Sequence, residues 1–402
     1  MKKICFVAEY MYCGGSEKSL VSLLNCIDRD KYQITLLLLG LKGVLLSQLP
    51  DDIRVEAIPL PEDERDDLQN GRSTALKHAF QSGHILSGCK KALRGVQMAC
   101  HAKSGTAKRL WYYKSIENKI DEYPEEFDVV IDYFGYGLFN TFYAARKVRA
   151  KTKISWVHFE PEQAMPDFTV FEDILNEFQF IMCVSNPIKE QMQAMMPRHK
   201  DRMRVFYNIV DAENILEQGK KNAQKKADGA THILSVGRID FPKGFDLGLG
   251  IIERLVADGY SIQWHIVGEG PQRMKLEQQI AQSQILKDCV QLHGQQLNPY
   301  AYMDMCDIYF QPSRHEAYGI AVAEARVFCK PIVVTDFAGA REQLVNGVTG
   351  LITKCTEDDL YWALKKVLDD PGLQLRFSQN LLEQRGNERN QVKYLEEIFD
   401  RA

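Results

Sequence analysis

Residues 307–336, DIYFQPSRHEAYGIAVAEARVFCKPIVVTD, leave little choice of fold. They read strand, loop, helix, strand. Residues 308–311 are a short β-prone run closed by Pro312 and Ser313, and Pro331 opens a second apolar run over 332–334. Between them Ala321, Val322, Ala325, Val327 and Phe328 predict a short helix that is apolar on most sides and therefore buried. A buried helix between two apolar strands is the unit of a layered α/β protein.

Two carboxylates flank the first turns of this helix. Glu316 precedes Gly319, and Glu324 follows it. Gly319 marks a point where backbone comes close to a ligand and where the helix starts. The free N–H groups of Gly319 and Ile320 then face outward at the positive end of the helix dipole, which suits a phosphate. Glu324 lies roughly 7–12 Å further along at the helical rise. A diphosphate with a sugar on each side would meet one carboxylate at each end, each a charge-assisted acceptor for sugar hydroxyls. The competing reading is two solvated surface glutamates. Glu324 speaks against it, because Val322, Ala323 and Ala325 surround it and a buried carboxylate needs a partner.

The N-terminus repeats the pattern. Residues 4–8 are a continuous apolar run, the mark of a buried parallel strand. Gly14 and Gly15 then make the turn, and Leu20, Val21, Leu24 and Ile27 give one apolar helix face. Strand, glycine turn and helix open a Rossmann-like unit. The G-x-G-x-x-G fingerprint of dinucleotide binding is missing here and again after Gly268, where Arg273 stands in place of the third glycine. On pattern alone Gly14 and Gly15 serve a tight turn or a ligand equally well. The pattern starts once more at 232–236, followed by G-R-I-D-F-P-K-G-F-D. Arg238 and Lys243 present two cations from that one loop, which is what a departing nucleoside diphosphate needs; the ordinary fate of such residues is a solvated surface.

Further strands are expected at 34–39, 53–58, 128–132, 154–157 and 180–184, then at 262–267, 290–293 and 350–353. Helices are expected at 138–148, 300–306, 358–368 and 391–399. His158 follows the strand at 154–157 directly, beyond a carboxyl end, where α/β sheets bind ligands. Residues 159–171 are expected as an active-site loop, 61–67 as an exposed acidic loop, and 220–230 as an exposed polar segment. A length of 402 residues accommodates two or three domains.

The net charge of −4 gives no polyelectrolyte signal. Residues 71–119 depart from it, with ten Lys and Arg against one acid, a net of +9. Cys89, Leu93, Val96 and Cys100 recur there at helical spacing, with Phe80, Trp111, Tyr112 and Tyr113 nearby. Such a segment is either an interfacial membrane helix or a solvated basic face. No nucleic-acid-binding motif accompanies the charge. The ten cysteines are scattered without metal spacing and read as reduced, mostly core thiols of a cytosolic protein. Five apolar residues between Lys3 and Glu9 are too few for a signal peptide. No apolar run reaches the roughly 18–20 residues of a membrane span, so any membrane contact is expected from the surface.

E-A-Y-G-I-A-V-A-E at 316–324 resembles the Glu-x7-Glu motif of retaining GT-B glycosyltransferases of the large family 4 (group 1) type, and K-P-I-V-V-T-D in register after it resembles that family's next segment. G-R-x-x-x-x-K-G at 237–244, G-G-S-E-K-S-L at 14–20 and W-V-H at 156–158 are similar to its other signatures. Ile209 stands where the family's N-G-[IV]-D segment has glycine, which puts a role for Asn208 in doubt. The resemblance covers nearly the whole chain, strongest over 232–353 and weakest over 60–125.

It implies two Rossmann-like domains facing a central cleft. One spans 1–210 with a C-terminal helix at about 386–402 on the acceptor side, and the other spans 211–385 and binds the nucleotide sugar. The implied reaction moves a sugar from a UDP-sugar to an acceptor hydroxyl with retention, without a metal or other cofactor. By resemblance, Glu316, His158, Arg238 and Lys243 are catalytic, and Gly14, Gly15, Gly319, Ile320 and Glu324 bind substrate. The implied acceptor is a lipid-linked glycan in capsule or O-antigen assembly. The expected place is cytoplasmic, peripheral on the inner face of the plasma membrane, with 71–119 against anionic lipid. The alternatives are a protein or soluble acceptor, or a non-catalytic nucleotide-sugar-binding partner subunit.

Overall fold

The computed structural model describes residues 1–135, 137–221, 229–384 and 389–402. Of the polar segment expected at 220–230, residues 222–228 lie outside the described residues, as does the start of the terminal helix expected at about 386. The chain divides into two compact units, Met1–Tyr207 with Val392–Ala402, and Asn208–Gln391.

The first unit is built on seven parallel strands: β1 (Lys2–Ala8), β2 (Tyr32–Leu38), β3 (Arg54–Ala57), β4 (Glu126–Asp132), β5 (Arg149–Val157), β6 (Phe180–Cys183) and β7 (Met203–Val205). Their order is β3-β2-β1-β4-β5-β6-β7. Ile4, Cys5, Phe6, Val7 and Ala8 are all fully buried, because helices cover both faces of the sheet. Each buried aliphatic or aromatic side chain of this kind contributes about 1.5–3 kcal/mol. Helix α1 (Gly15–Cys26) packs Leu20, Leu23 and Leu24 inward. The C-terminal helix, Arg389–Arg401, sets the Phe399 ring against Tyr32 at 5.2 Å, and the Tyr32 hydroxyl donates to Asp400 Oδ1 at 2.7 Å.

Between β3 and β4 stand four helices, α2 (Glu62–Asn70), α3 (Arg72–Gln81), α4 (Ile85–His101) and α5 (Gly105–Ile116). The expected acidic loop at 61–67 is therefore wrong. Residues 62–67 lie in α2 with Pro61 as its cap, and Glu64 and Asp67 are buried. The reason is long-range charge pairing. Lys91 Nζ donates to Asp67 Oδ1 at 2.5 Å, Tyr112 Oη to Asp67 Oδ2 at 3.0 Å and Lys119 Nζ to Glu64 Oε1 at 2.7 Å. Tyr112 and Tyr113 are core residues of the unit rather than interfacial ones. The stripe noted on α4 is exposed, with Leu93 at 60% and Val96 at 62% and Cys89 and Cys100 exposed, and Leu86 of the same helix is exposed at 81%. The expectation of mostly core thiols fails accordingly, since Cys5, Cys183, Cys289 and Cys306 are the buried ones. Residues 159–171, expected as an active-site loop, carry two short helical turns, with Phe168 and Phe171 fully buried.

The second unit has six parallel strands: β8 (Thr231–Val236), β9 (Ile262–Val267), β10 (Val290–Leu292), β11 (Ile308–Gln311), β12 (Ile332–Thr335) and β13 (Leu351–Thr353), ordered β10-β9-β8-β11-β12-β13. Trp264 anchors the core on one face. A side chain at Gly248 of helix Phe245–Ala257 would collide with its ring, so that helix lies close to the sheet. Three histidines form a row across β8, β9 and the end of β10. His232 Nδ1 and His265 Nε2 lie 2.9 Å apart, as do His265 Nδ1 and His293 Nε2, with the rings stacked at 5.2 and 5.1 Å.

In both sheets the chain leaves the two central strands toward opposite edges. This happens between β1 and β4 in the first unit and between β8 and β11 in the second. Ligands of doubly wound sheets bind beyond the carboxyl ends of the strands at such a point.

Candidate functional site

At the second unit's reversal point, two loops are pressed together. The loop after β8 starts at Gly237 and ends at Gly244, which is left-handed at φ 68°, and a side chain there would collide with the Pro312 carbonyl. The loop after β11 runs from Pro312 to Tyr318. Arg314 locks the two. Its backbone N–H donates to the Pro242 carbonyl at 2.7 Å, and its guanidinium takes Asp246 in a fork at 2.7 and 3.0 Å. The guanidinium also sits 4.2 Å over the Phe241 ring. Arg314 is absent from the sequence-derived set, although it lies two residues from Glu316.

This lock brings Lys243 and Glu316 together as an ion pair, with the side chains 22% and 12% exposed. Glu316 is also held from inside. The Tyr309 hydroxyl donates to Gln311 Oε1 at 2.8 Å, Gln311 Nε2 donates to Ser313 Oγ at 2.8 Å, and Ser313 Oγ donates to Glu316 Oε1 at 3.1 Å. Tyr309, Gln311 and Ser313 are all buried. Period-two alternation points Tyr309, Gln311 and Ser313 to one side of the strand, which is the signal that was available in the sequence. Arg238 stands apart, 69% exposed, with Asp240 Oδ2 at 3.6 Å from its Nε.

Gly319 is left-handed at φ 81° and caps the helix Ile320–Val327. A β-carbon at Gly319 would press on the Phe337 ring. Gln343 Nε2 donates to the carbonyls of Tyr318 and Gly319, which fixes the peptide planes at the helix entrance. Gly319 caps the helix and Ile320 is its first residue, so their N–H groups have no carbonyl partner within the helix itself. Glu324 is 3% exposed within this helix, and the Tyr300 hydroxyl donates to its Oε1 at 2.9 Å. The second unit thus gathers Lys243, Glu316, Gly319, Ile320 and Glu324 around one helix start, with Arg238 on the rim.

At the first unit's reversal point, Gly14 caps α1 and Gly15 is its first residue. Beside this turn the strand ends carry acids. Asp132, fully buried at the end of β4, accepts from Ser155 Oγ at 2.9 Å, Asn140 Nδ2 at 2.5 Å and the Gly135 N–H at 3.3 Å. Burial nevertheless pushes its carboxyl up to about 6. Glu9, just past β1, is pushed up to about 7 by burial, against the pull of the Arg109 guanidinium. Burial also raises Glu17, which accepts from Ser16 Oγ at 2.9 Å. His158, just past β5, packs its ring on Tyr133 at 4.6 Å and Trp156 at 5.9 Å. Glu9 and Asp132 gave no sequence signal beyond their place at strand ends. Among the described residues, no group of three His, Cys, Asp or Glu is arranged to hold a metal ion, and no helix is long and apolar enough to cross a membrane.

Residues 217–384 match the model of the family described as glycosyl transferases group 1. The alpha-D-kanosaminyltransferase of Streptomyces kanamyceticus is 27% identical over 173 residues, 42% of this chain and 45% of that protein. The N-acetylgalactosamine-N,N'-diacetylbacillosaminyl-diphospho-undecaprenol 4-alpha-N-acetylgalactosaminyltransferase of Campylobacter jejuni is 32% identical over 171 residues, 42% of this chain and 45% of that protein. The chain thus spans less than half the length of these curated relatives. The crystal structure of Anabaena HepE in complex with UDP-glucose is similar over 100% of both chains, with a TM-score of 0.69 and 17% identity. That likeness is one of fold: two units of parallel sheet and flanking helices of the GT-B type.

Proposed function

We propose, on the premise that residues 217–384 make this a group 1-like chain of the GT-B fold, that it moves a sugar from a UDP-sugar to an acceptor hydroxyl with retention at the anomeric carbon. The observation that carries the reading is the convergence of Lys243, Glu316 and the Gly319 helix terminus at the reversal point of the second sheet. Lys243 and Arg238 bind the diphosphate and stabilise charge on it as the anomeric bond breaks. The amides of Gly319 and Ile320 add to this, and Glu324 accepts from the ribose hydroxyls. Glu316 faces the donor sugar and favours positive character at its anomeric carbon. His158 orients the sugar or the acceptor, and Gly14 and Gly15 belong to the substrate-binding residues of the first unit. The acceptor oxygen forms the new bond to the anomeric carbon as its proton passes to the leaving phosphate oxygen. Lys243, Arg238 and the helix terminus supply the positive charge, so the reaction proceeds without a metal. The second unit takes the nucleotide and the first takes the acceptor.

The acceptor we favour is a lipid-linked glycan of surface polysaccharide assembly, met at the cytoplasmic face of a membrane. The Campylobacter jejuni relative is named for a diphospho-undecaprenol acceptor, and α4 offers Ile85, Leu86, Leu93 and Val96 beside the exposed Lys90 and Lys103. A soluble or protein acceptor is the second reading, favoured by the pairing of Lys91, Arg94 and Lys119 with α2 acids, which removes charge from the surface.

The test is hydrolysis of a panel of UDP-, GDP- and ADP-sugars without acceptor, for wild type, Lys243→Ala and Glu316→Ala, with and without EDTA. The reading requires one UDP-sugar to turn over in wild type, unaffected by EDTA and lost in both variants. No turnover, with no binding by calorimetry, would sink it. Flotation with anionic liposomes, wild type against Leu93→Glu, separates the two acceptor readings.

A further inference from the structure

Lys243 and Glu316 are assigned above to different parts of one donor, the diphosphate and the sugar. In the structure they hold each other. Both are largely shielded from solvent, so each charge is partly satisfied by the other while the pair persists. Glu316 has a second tie, the Ser313 hydroxyl at 3.1 Å. Ser313 is itself fixed, taking Gln311 Nε2 at 2.8 Å on its oxygen, while its carbonyl accepts from the Thr335 hydroxyl. Gln311 in turn takes the Tyr309 hydroxyl. Every donor in this buried row has one acceptor, and the row ends on the carboxylate. Lys243 comes from the other loop, at the end of a short helical turn, Phe241–Lys243, on a flexible four-carbon stem.

We infer that donor binding exchanges an ion pair: the nucleotide phosphate takes Lys243 from Glu316, and Ser313 is the positioning residue that keeps the released carboxylate in place for the sugar. The inference rests on the donor-site reading above and adds to it an order of events. The site is paired with itself until a phosphate arrives, and release of Lys243 then makes Glu316 the stronger acceptor for sugar hydroxyls. A UDP-sugar gains two contacts in exchange for one pair. UDP alone gains one and leaves Glu316 without its cation. Glu316 therefore opposes the binding of UDP, the product, while supporting the turnover of UDP-sugar.

UDP binding by calorimetry reads this directly. Glu316→Gln keeps the shape and removes the competing charge, so UDP binds about 10-fold tighter, in the middle of the range for coupled neighbours. In a Lys243→Ala background the same change has no effect on UDP affinity, because nothing is left to release. A gain of equal size in both backgrounds would make Glu316 a general repulsive field and overturn the exchange; so would no gain in either. The Ser313 part is read in the slow hydrolysis of UDP-sugar. Ser313→Cys, with a poor donor, and Ser313→Ala, with none, lower kcat in that order, by about 10-fold or more for Ala, while UDP affinity stays that of wild type. Loss of UDP affinity in step with kcat would assign Ser313 to packing alone and overturn its role. UDP binding absent from the wild type would remove the donor-site reading itself, and this inference with it.

Discussion

The two sheets reverse direction in the same way, yet their strand ends handle charge differently. In the second unit three carboxylates over the reversal point face cations, while Glu324 takes the neutral Tyr300 hydroxyl. Glu316 meets Lys243, Asp246 meets Arg314, and Asp240 meets Arg238. In the first unit Asp132 is held by neutral donors only, Ser155, Asn140 and the Gly135 N–H. A carboxylate opposite a cation stays ionised, whereas one buried among neutral donors keeps its proton to higher pH. The second unit therefore offers cations to an anionic ligand, although burial raises the Asp240 carboxyl even beside Lys243 and Arg238. The first unit titrates near neutrality, a setting that suits hydroxyl-rich groups better than phosphates.

The sharpest way to break this contrast is Lys243→Ala. It leaves Glu316 uncompensated in a partly buried site, and UDP-sugar turnover should fall by about 100- to 1000-fold. Steady-state hydrolysis checks it. A loss under tenfold would mean the pair is ornamental and the second unit does not rely on fixed charge.

Next comes stability in the first unit. Asp132→Leu strips the acceptor from Ser155, Asn140 and the Gly135 N–H, and should cost about 2–4 kcal/mol in urea unfolding. Asp132→Asn keeps the shape without the charge and should cost less than about 1 kcal/mol. Equal costs for the two would show that Asp132 depends on its charge after all, and the contrast between the units would fail.

Tyr300→Phe tests the second unit more gently. It removes the hydroxyl from Glu324, and UDP affinity should drop by about tenfold, since hydrogen bonds to charged groups are worth about 1.5–3 kcal/mol. Unchanged affinity would detach Glu324 from the nucleotide.

The smallest effect is on pH. Burial lifts Asp132 to about 6 and Glu9 to about 7, above their ordinary 3.8 and 4.5. Between those values the folded chain holds protons that the unfolded chain has released. Their contribution to stability is complete below about pH 4 and is lost as pH rises through 6 to 7. Burial holds His293 below its ordinary 6.5, so its contribution is complete above that value and is lost as pH falls beneath it. Hydrogen exchange followed by peptide, corrected for intrinsic rates, should show β4 gaining protection and β10 losing it between pH 7.5 and about 5.5. Parallel trends would contradict the opposite signs.

Much of the scaffold was legible because it rests on local pattern. Continuous apolar runs marked β1, β8, β9 and β12, and a single glycine marked the entrance of helix Ile320–Val327. Glu324 announced its need for a partner, because three small or apolar neighbours left it no water. The partner itself was not readable. Tyr300 lies 24 residues away on another helix, and nothing in its neighbourhood points to Glu324. Helix α2 was misread for the same reason. Its acids look solvated until Lys91 and Lys119, 24 and 55 residues later, fold back onto them. Strand β7 has three residues at a sheet edge, too few to show a period. In the site, the charged residues stood out by type. The residues that orient them, Ser313, Gln311 and the charged Arg314, are distinctive only in where the two loops meet.

The histidine row across β8, β9 and β10 has a consequence of a different kind. When all three rings are neutral, each carries one proton, and two N···N contacts must be bridged. Both are bridged only if the protons all point the same way along the row. The row therefore has a head and a tail and two allowed directions. Whatever favours a proton on one nitrogen of His293 also sets the tautomer of His232, about 10 Å and two strands away.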